Sequence, residues 1–229
     1  LEYVQTLLST IDYSAILKIV MIDLLLGIDN AVVIALACAT LAVSVRGKAI
    51  FIGTAGAVIL RAVLLVFATF LLGVPYLKLV AGAYLLWIGY SLLTASDDGH
   101  EVEQKDTIFG AVWTIIVADF MLSLDNVMAV AGAASGTEHS TVYAIAGIVF
   151  SIPVIIYGAK YLTNWMDKYP VIIWIGAAML GVVGAEMFVS DPLMADYGIN
   201  HIVAKIVGGS AVVIPAFVVK KLYKKPVTA

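Results

Sequence analysis

Charge, cysteine and paired histidine are scarce in this 229-residue sequence. Asp, Glu, Lys and Arg make up 13% of it, about half the share usual in a soluble domain. One cysteine, Cys38, excludes an intrachain disulfide. The three histidines, His100, His139 and His201, fall in predicted loops or helix ends, and no pair has the spacing of a zinc site. What fills the chain instead is apolar, at 62% of residues, in runs of about 20 or more, long enough to cross ~30 Å of hydrocarbon as helix. The N-terminal stretch Leu1 to Tyr13 has no basic segment, and the first apolar run is too long for a signal peptide.

The pattern predicts an all-α, polytopic membrane protein with about seven spanning helices, at residues 14–39, 50–73, 75–95, 108–135, 141–163, 170–189 and 202–222. Gly73-Val74-Pro75 reads as a tight turn. Residues 96–107 (SDDGHEVEQKDT) read as an acidic linker between a first three-helix repeat, 1–95, and a second, 108–190. Residues 191–229 hold the seventh helix and a basic tail. Trp165, Tyr169 and Trp174 around Pro170 suit an aromatic belt at a membrane surface. Gly132 and Gly136 form a GxxxG for close helix approach. Nine loop Lys and Arg (Arg46, Lys48, Lys105, Lys160, Lys168, Lys220, Lys221, Lys224, Lys225) fall on one side and three (Lys18, Lys78, Lys205) on the other. The bias puts the N-terminus outside and the C-terminus in the cytoplasm.

The repeat shows in two eight-residue stretches 96 positions apart, Asp23-Leu-Leu-Leu-Gly-Ile-Asp29-Asn30 and Asp119-Phe-Met-Leu-Ser-Leu-Asp125-Asn126. Ala35 and Ala37 match Ala131 and Ala133, and Gly82-Ala83 matches Gly176-Ala177. Three spans per half force the second half to enter from the opposite face, an inverted repeat of the kind that builds many secondary transporters.

Four intramembrane aspartates need an energetic reason. Each costs ~2.5–3.5 kcal/mol at a helix centre, roughly 10–14 in all before any pairing. Arg61, placed mid-way along the second span, is the one buried counter-charge, so the carboxylates must be protonated, hydrated or neutralised by cations. Glu186, near a surface, reads as solvated. Asp23 and Asn30, seven apart, share a helix face, with Asp29 about 120° away. Gly27 and Ser123 precede Asp-Asn pairs that favour helix starts, so helices one and four are expected to break there. Antiparallel packing would level Asp23 with Asp125 and Asp29 with Asp119. Carboxylate and amide oxygens suit Mg²⁺, Ca²⁺ and Mn²⁺. Met128 is a possible thioether ligand that would tilt the choice toward a transition metal.

The stretches IDLLLGIDNAVVIALA (22–37), KAIFIGTAGAVILR (48–61), LKLVAGAYLLWIGYSLL (77–93) and ADFMLSLDNVMAVAGAA (118–134) resemble the TerC family of bacterial membrane proteins in its short, YjbE-like form. Ile28 is a departure, since short-form relatives often have Gly before the first Asp-Asn pair. The resemblance implies a seven-helix protein of the LysE-like superfamily in the bacterial inner membrane, with relatives implicated in Mn²⁺ export and some linked to tellurite resistance. It also implies that the acidic motif residues are Asp23, Asp29, Asn30, Asp119, Asp125 and Asn126. The expectation is a divalent-metal exporter with Mn²⁺ as cargo and protons as coupling ion, in contact with membrane lipids, with no prosthetic group, no nucleic acid partner and no enzymatic activity. Nothing in the sequence sets an oligomeric state. A non-transporting scaffold or metal-stress sensor is the alternative. An intramembrane aspartyl protease ranks lower, because Asn follows each motif and no Gly-x-Gly-Asp is present. A retinal pump is disfavoured because Lys205 lies near a helix end.

Overall fold

Apolar runs bounded by short polar turns leave the backbone one way to satisfy itself in lipid, which is helix. The computed structural model describes residues 13–67, 70, 74–94, 104–134 and 140–223. They form seven α-helices: α1 (Tyr13–Ala39), α2 (Val43–Val66), α3 (Leu77–Thr94), α4 (Gln104–Ala134), α5 (Ser140–Lys168), α6 (Val171–Val189) and α7 (His201–Tyr223). A short 3-10 helix, Pro192–Tyr197, joins the last two, and no strand occurs among the described residues. By length and composition, α2, α3, α6 and residues His201–Leu222 of α7 can each cross a membrane. The surface is correspondingly apolar: Phe51, Ile59, Phe109, Phe150, Ile206 and Leu222 all point outward, as lipid-facing side chains do and as the surface of a soluble monomer does not.

Helix directions follow from who touches whom. Arg46 at the start of α2 donates to the Ala39 and Leu41 carbonyls at the end of α1, and Arg61 far along α2 reaches back to Asp23, so α1 and α2 are antiparallel. Gly53 faces Ile115 while Arg61 meets Ser123, so α2 and α4 run parallel. Gly27 faces Ile155 and Gly158 faces Ala31, so α1 and α5 also run parallel. α3 and α6 are antiparallel, with Gly82 on Gly184 and Gly89 on Ala177.

These contacts obey an internal two-fold relation. α1 lies mainly along α5 and α4 mainly along α2, while α3 pairs with α6 across the halves. Exchanging α1–α3 with α4–α6 leaves that pattern unchanged, and α4 runs opposite to α1, so the halves are inverted. α7 packs on α6 outside the repeat. One apolar core cluster joins α1, α2, α4 and α5, a second joins α1, α3, α4, α5 and α6, and a smaller one seats α7 on α3 and α6.

Several expected boundaries move. α2 starts at Val43 rather than 50, because the Arg46 guanidinium caps the end of α1 and pairs with Asp167 of α5, which lets charged residues occupy a first turn. The described helix ends at Val66, so Arg61 sits five residues from that end and not mid-helix. Residues 104–107, read as linker, belong to α4. The 3-10 turn was not expected. Asp191 caps it through Leu193 N–H at 3.0 Å, with Pro192 in its first turn, and its other oxygen takes Leu79 N–H of α3 at 3.3 Å. Pro75 and Tyr76 make the turn before α3, with Tyr76 left-handed at φ 64°. Gly73 of that turn and Gly136 of the GxxxG lie outside the described residues.

Candidate functional site

The polar residues buried in this apolar bundle concentrate where α1, α2 and α4 meet. Asp23 and Asn30 face inward on α1, Thr54 and Arg61 on α2, and Asp119, Ser123 and Asn126 on α4, all almost fully buried. Sevenfold spacing accounts for the pairs, since residues seven apart return to the same helix face. With α1 and α2 antiparallel and Asp23 bonded to Arg61, the same register brings Asn30 and Thr54 to one level, about 10 Å along the bundle from the ion pair.

Arg61 organises the centre. Its Nη1 donates to Asp23 Oδ1 at 3.4 Å, its Nη2 to Asp119 Oδ1 at 2.9 Å and its Nε to Ser123 Oγ at 3.1 Å. Ser123 in turn donates to Asp119 Oδ2 at 3.1 Å. Guanidinium is suited to the task because its planar fork presents several donors to separate acceptors and stays charged when buried. Asp29 is half-buried, within electrostatic range of both Arg61 and Asp119. One of its oxygens accepts the Asn30 N–H at 2.9 Å.

The predicted helix breaks do not occur. α1 is continuous through Gly27 and α4 through Ser123. Gly27 lies on the face that packs against α5, where an added Cβ would sit in ordinary contact with Ile155 at 3.4 Å. The Ser123 hydroxyl instead accepts from Arg61 Nε and donates to Asp119 Oδ2. The expected levels also change: Asp119 is in range of Asp29 but shares Arg61 with Asp23. The side chains of Asp125 and Met128 lie outside the described residues.

Four buried oxygen or nitrogen atoms here have no hydrogen-bond partner among the described residues: Asp23 Oδ2, Asn30 Oδ1 and Nδ2, and Thr54 Oγ1. An unmet polar group costs about 1–3 kcal/mol. Asn30 and Thr54 offer their oxygens at one level and Asp23 offers its free oxygen about 10 Å away, hard donors suited to water or a hard cation. Thr54 and Ser123 were not picked out as polar site residues from the sequence. Ser123 is four residues after Asp119 and Thr54 seven before Arg61, helical spacings that place each hydroxyl on the charged face.

Glu186 and His201 are remote from this centre. Glu186 pairs with His201 at 3.1 Å and Lys205 at 3.4 Å, at the same end of the bundle as Asp191. Two open grooves among the described residues, one along the outer side of α5 and one between α2 and α5, share Pro153, Tyr157 and Lys160, and no carboxylate lines either.

Buried, pseudo-repeated carboxylates in an inverted seven-helix bundle narrow the candidates to a small set of membrane families, and residues 8–227 match the Integral membrane protein TerC family. The chain belongs to the TerC family. Among its relatives, the membrane protein YjbE of Bacillus subtilis is 41% identical over 187 residues, 82% of this chain and 84% of that one. The inner membrane protein YgdQ of Escherichia coli K12 is 24% identical over 189 residues, 75% of this chain and 78% of that one. The membrane protein YkoY of Bacillus subtilis is 28% identical over 138 residues, 58% of this chain and 43% of that one. No solved structure matches. This TerC chain is therefore an integral, multi-pass membrane protein whose motif aspartates Asp23 and Asp119 meet at one arginine.

Proposed function

We propose that the chain exports a divalent metal ion, Mn²⁺ above all, by alternating access of its two inverted halves, with protons returning in exchange. The cargo binds between α1 and α4, held by Asp23, Asp29, Asp119 and Asp125 with Asn30 and Asn126, and Met128 as accessory thioether. The observation that carries this reading is the charge at the centre. Asp23 and Asp119 pair with a single guanidinium and Asp29 lies within electrostatic range of it, and three negative charges against one positive leave a formal −2. One divalent cation cancels that charge and a monovalent one does not. The unpartnered carboxylate, amide and hydroxyl oxygens are hard donors, which suits Mn²⁺, Mg²⁺ and Ca²⁺ better than soft metals. An inverted pair of halves supplies the two-state geometry that alternating access requires.

The test is uptake into inverted or reconstituted vesicles of Mn²⁺, Ca²⁺, Mg²⁺ and Zn²⁺, with and without a pH gradient. Saturable Mn²⁺ flux driven by an opposing proton gradient, and lost in Asp29→Asn and Asp125→Asn protein that still inserts, is the expected result. Normal flux in either variant overturns the central site.

A second reading, a membrane scaffold or metal-stress sensor, is favoured by one feature: Arg61 already bonds both Asp23 and Asp119, so it ties α1, α2 and α4 together without moving anything. Metal binding without net flux for any cation would select it. A shared-proton protease is disfavoured, since Asp23 and Asp119 share a guanidinium rather than a proton.

A further inference from the structure

The Arg61 guanidinium occupies the place between carboxylates that a bound cation would need. It contacts Asp23 through one terminal nitrogen and Asp119 through the other, and is 3% exposed. Among the described residues no three carboxylate, histidine or cysteine side chains converge closely enough to hold a metal ion. Both observations have one cause. A planar cation bonded at opposite ends keeps its two carboxylates several ångströms apart, whereas a metal ion needs its oxygens within ~2.0–2.6 Å of one point.

The internal two-fold relation separates this role from packing. Ser123 of α4 corresponds to Gly27 of α1, and the residue each one meets on its parallel neighbour is Arg61 in one case and Ile155 in the other. The α1–α5 contact therefore packs the same kind of helix pair with Gly and Ile in place of Ser and Arg. Helix packing at this position does not require a cation; the carboxylates do. Arg61 also has no counterpart in the second half, so the charge enters from α2 alone.

We infer that Arg61 is a tethered internal cation that competes with the transported ion: it bridges Asp23 and Asp119 and offsets part of their charge when no cargo is bound, and a divalent cation binds by displacing it from one of them. The inference rests on the divalent-cation reading above. A guanidinium released from one carboxylate stays on the other, so the ion's two positive charges meet the centre's formal −2. The competition keeps affinity moderate, which lets cargo leave the carrier as well as enter it.

The experiment is Mn²⁺ binding to purified, metal-free protein in detergent by equilibrium dialysis, for wild type, Arg61→Gln, Arg61→Lys and Ser123→Ala. Arg61→Gln removes the competitor and tightens Mn²⁺ binding by roughly tenfold or more, the scale of one buried charge pair. Arg61→Lys keeps the charge and stays closer to wild type. Ser123→Ala frees the Nε end of the guanidinium and tightens binding by a smaller factor, which keeps the test alive should Arg61→Gln not fold. In proteoliposomes Arg61→Gln also slows Mn²⁺ exchange, the opposite direction from its affinity, which a purely structural arginine does not produce. Wild-type binding that Arg61→Gln or Ser123→Ala leaves unchanged or weakens overturns this inference alone. No divalent binding by wild type or any variant overturns the cargo reading and this inference with it.

Discussion

Asp119 uses both carboxylate oxygens, one on Arg61 and one on Ser123, whereas Asp23 uses one and Asp29 none outside its own turn of helix. The three acids therefore respond differently to loss of charge. Asp29→Asn removes a charge that holds no helix to another, so insertion and thermal stability should stay near wild type while Mn²⁺ flux falls at least about tenfold, one charge pair's worth. Asp119→Ala strips Arg61 of its shorter ion pair, leaves it only the longer contact to Asp23, and takes away the acceptor of the Ser123 hydroxyl. Breaking a buried pair from one side costs about 3–5 kcal/mol, so this variant should show a clearly lowered unfolding temperature in detergent before flux is considered. Equal stability of the two variants would mean that Asp119 does not anchor the bundle.

Between elements, the tightest approaches lie at glycines of α3, α6 and α7. A Cβ at Gly82 or Gly208 would meet backbone carbonyl oxygen on the facing helix, at Gly184 and Gly181 respectively, and one at Gly184 would lie 2.7 Å from the Gly82 oxygen. A backbone cannot rotate away as a side chain can, so both helices must part. Gly82→Ala and Gly208→Ala should each cost about 1–3 kcal/mol, read as a lower unfolding temperature of the purified protein. Gly47→Ala is the contrast: nothing lies within 4 Å of its added Cβ, and it sits in the first turns of α2. It should leave stability unchanged or raise it by about 0.5–1 kcal/mol, because alanine restricts the unfolded chain and favours helix. At the opposite end, Asp191→Ala removes the cap of the 3-10 turn and the bond to the first turn of α3, a loss of about 0.5–2 kcal/mol.

Over the whole molecule, alternating helix direction fixes which residues share a side. Arg46 with Asp167, and Lys220 over the Trp174 ring at 5.8 Å, mark one side; Glu186 with Lys205, and Asp191 at the start of α3, mark the other. The excess of Lys and Arg on the first side is the basis for proposing that this side faces the cytoplasm. Cys38 is fully buried and should stay silent to a membrane-impermeant maleimide, so engineered cysteines report alone. Gly47→Cys should label in inverted vesicles and Tyr197→Cys in right-side-out vesicles. Labelling of both from one face would contradict the alternation, and a clean exchange of the two patterns would reverse the orientation.

By itself, the sequence determined the helices, their number and the inverted halves, because apolar length and repeat spacing are local properties that lipid leaves little freedom to reinterpret. It also marked Asp23, Asp29, Asn30, Asp119, Asp125 and Asn126 as the polar motif residues of an apolar chain, since any charge in such a run stands out. Only the tertiary structure decided how they are arranged. Whether Gly27 and Ser123 break their helices depended on neighbours distant in sequence, Ile155 filling the space beside one and Arg61 meeting the hydroxyl of the other. That Asp23 meets Asp119 through Arg61 depended on the register of three helices and the reach of one long side chain. Thr54 joins Asn30 for the same reason: two polar groups 24 positions apart become neighbours in level only when antiparallel packing brings their helices together.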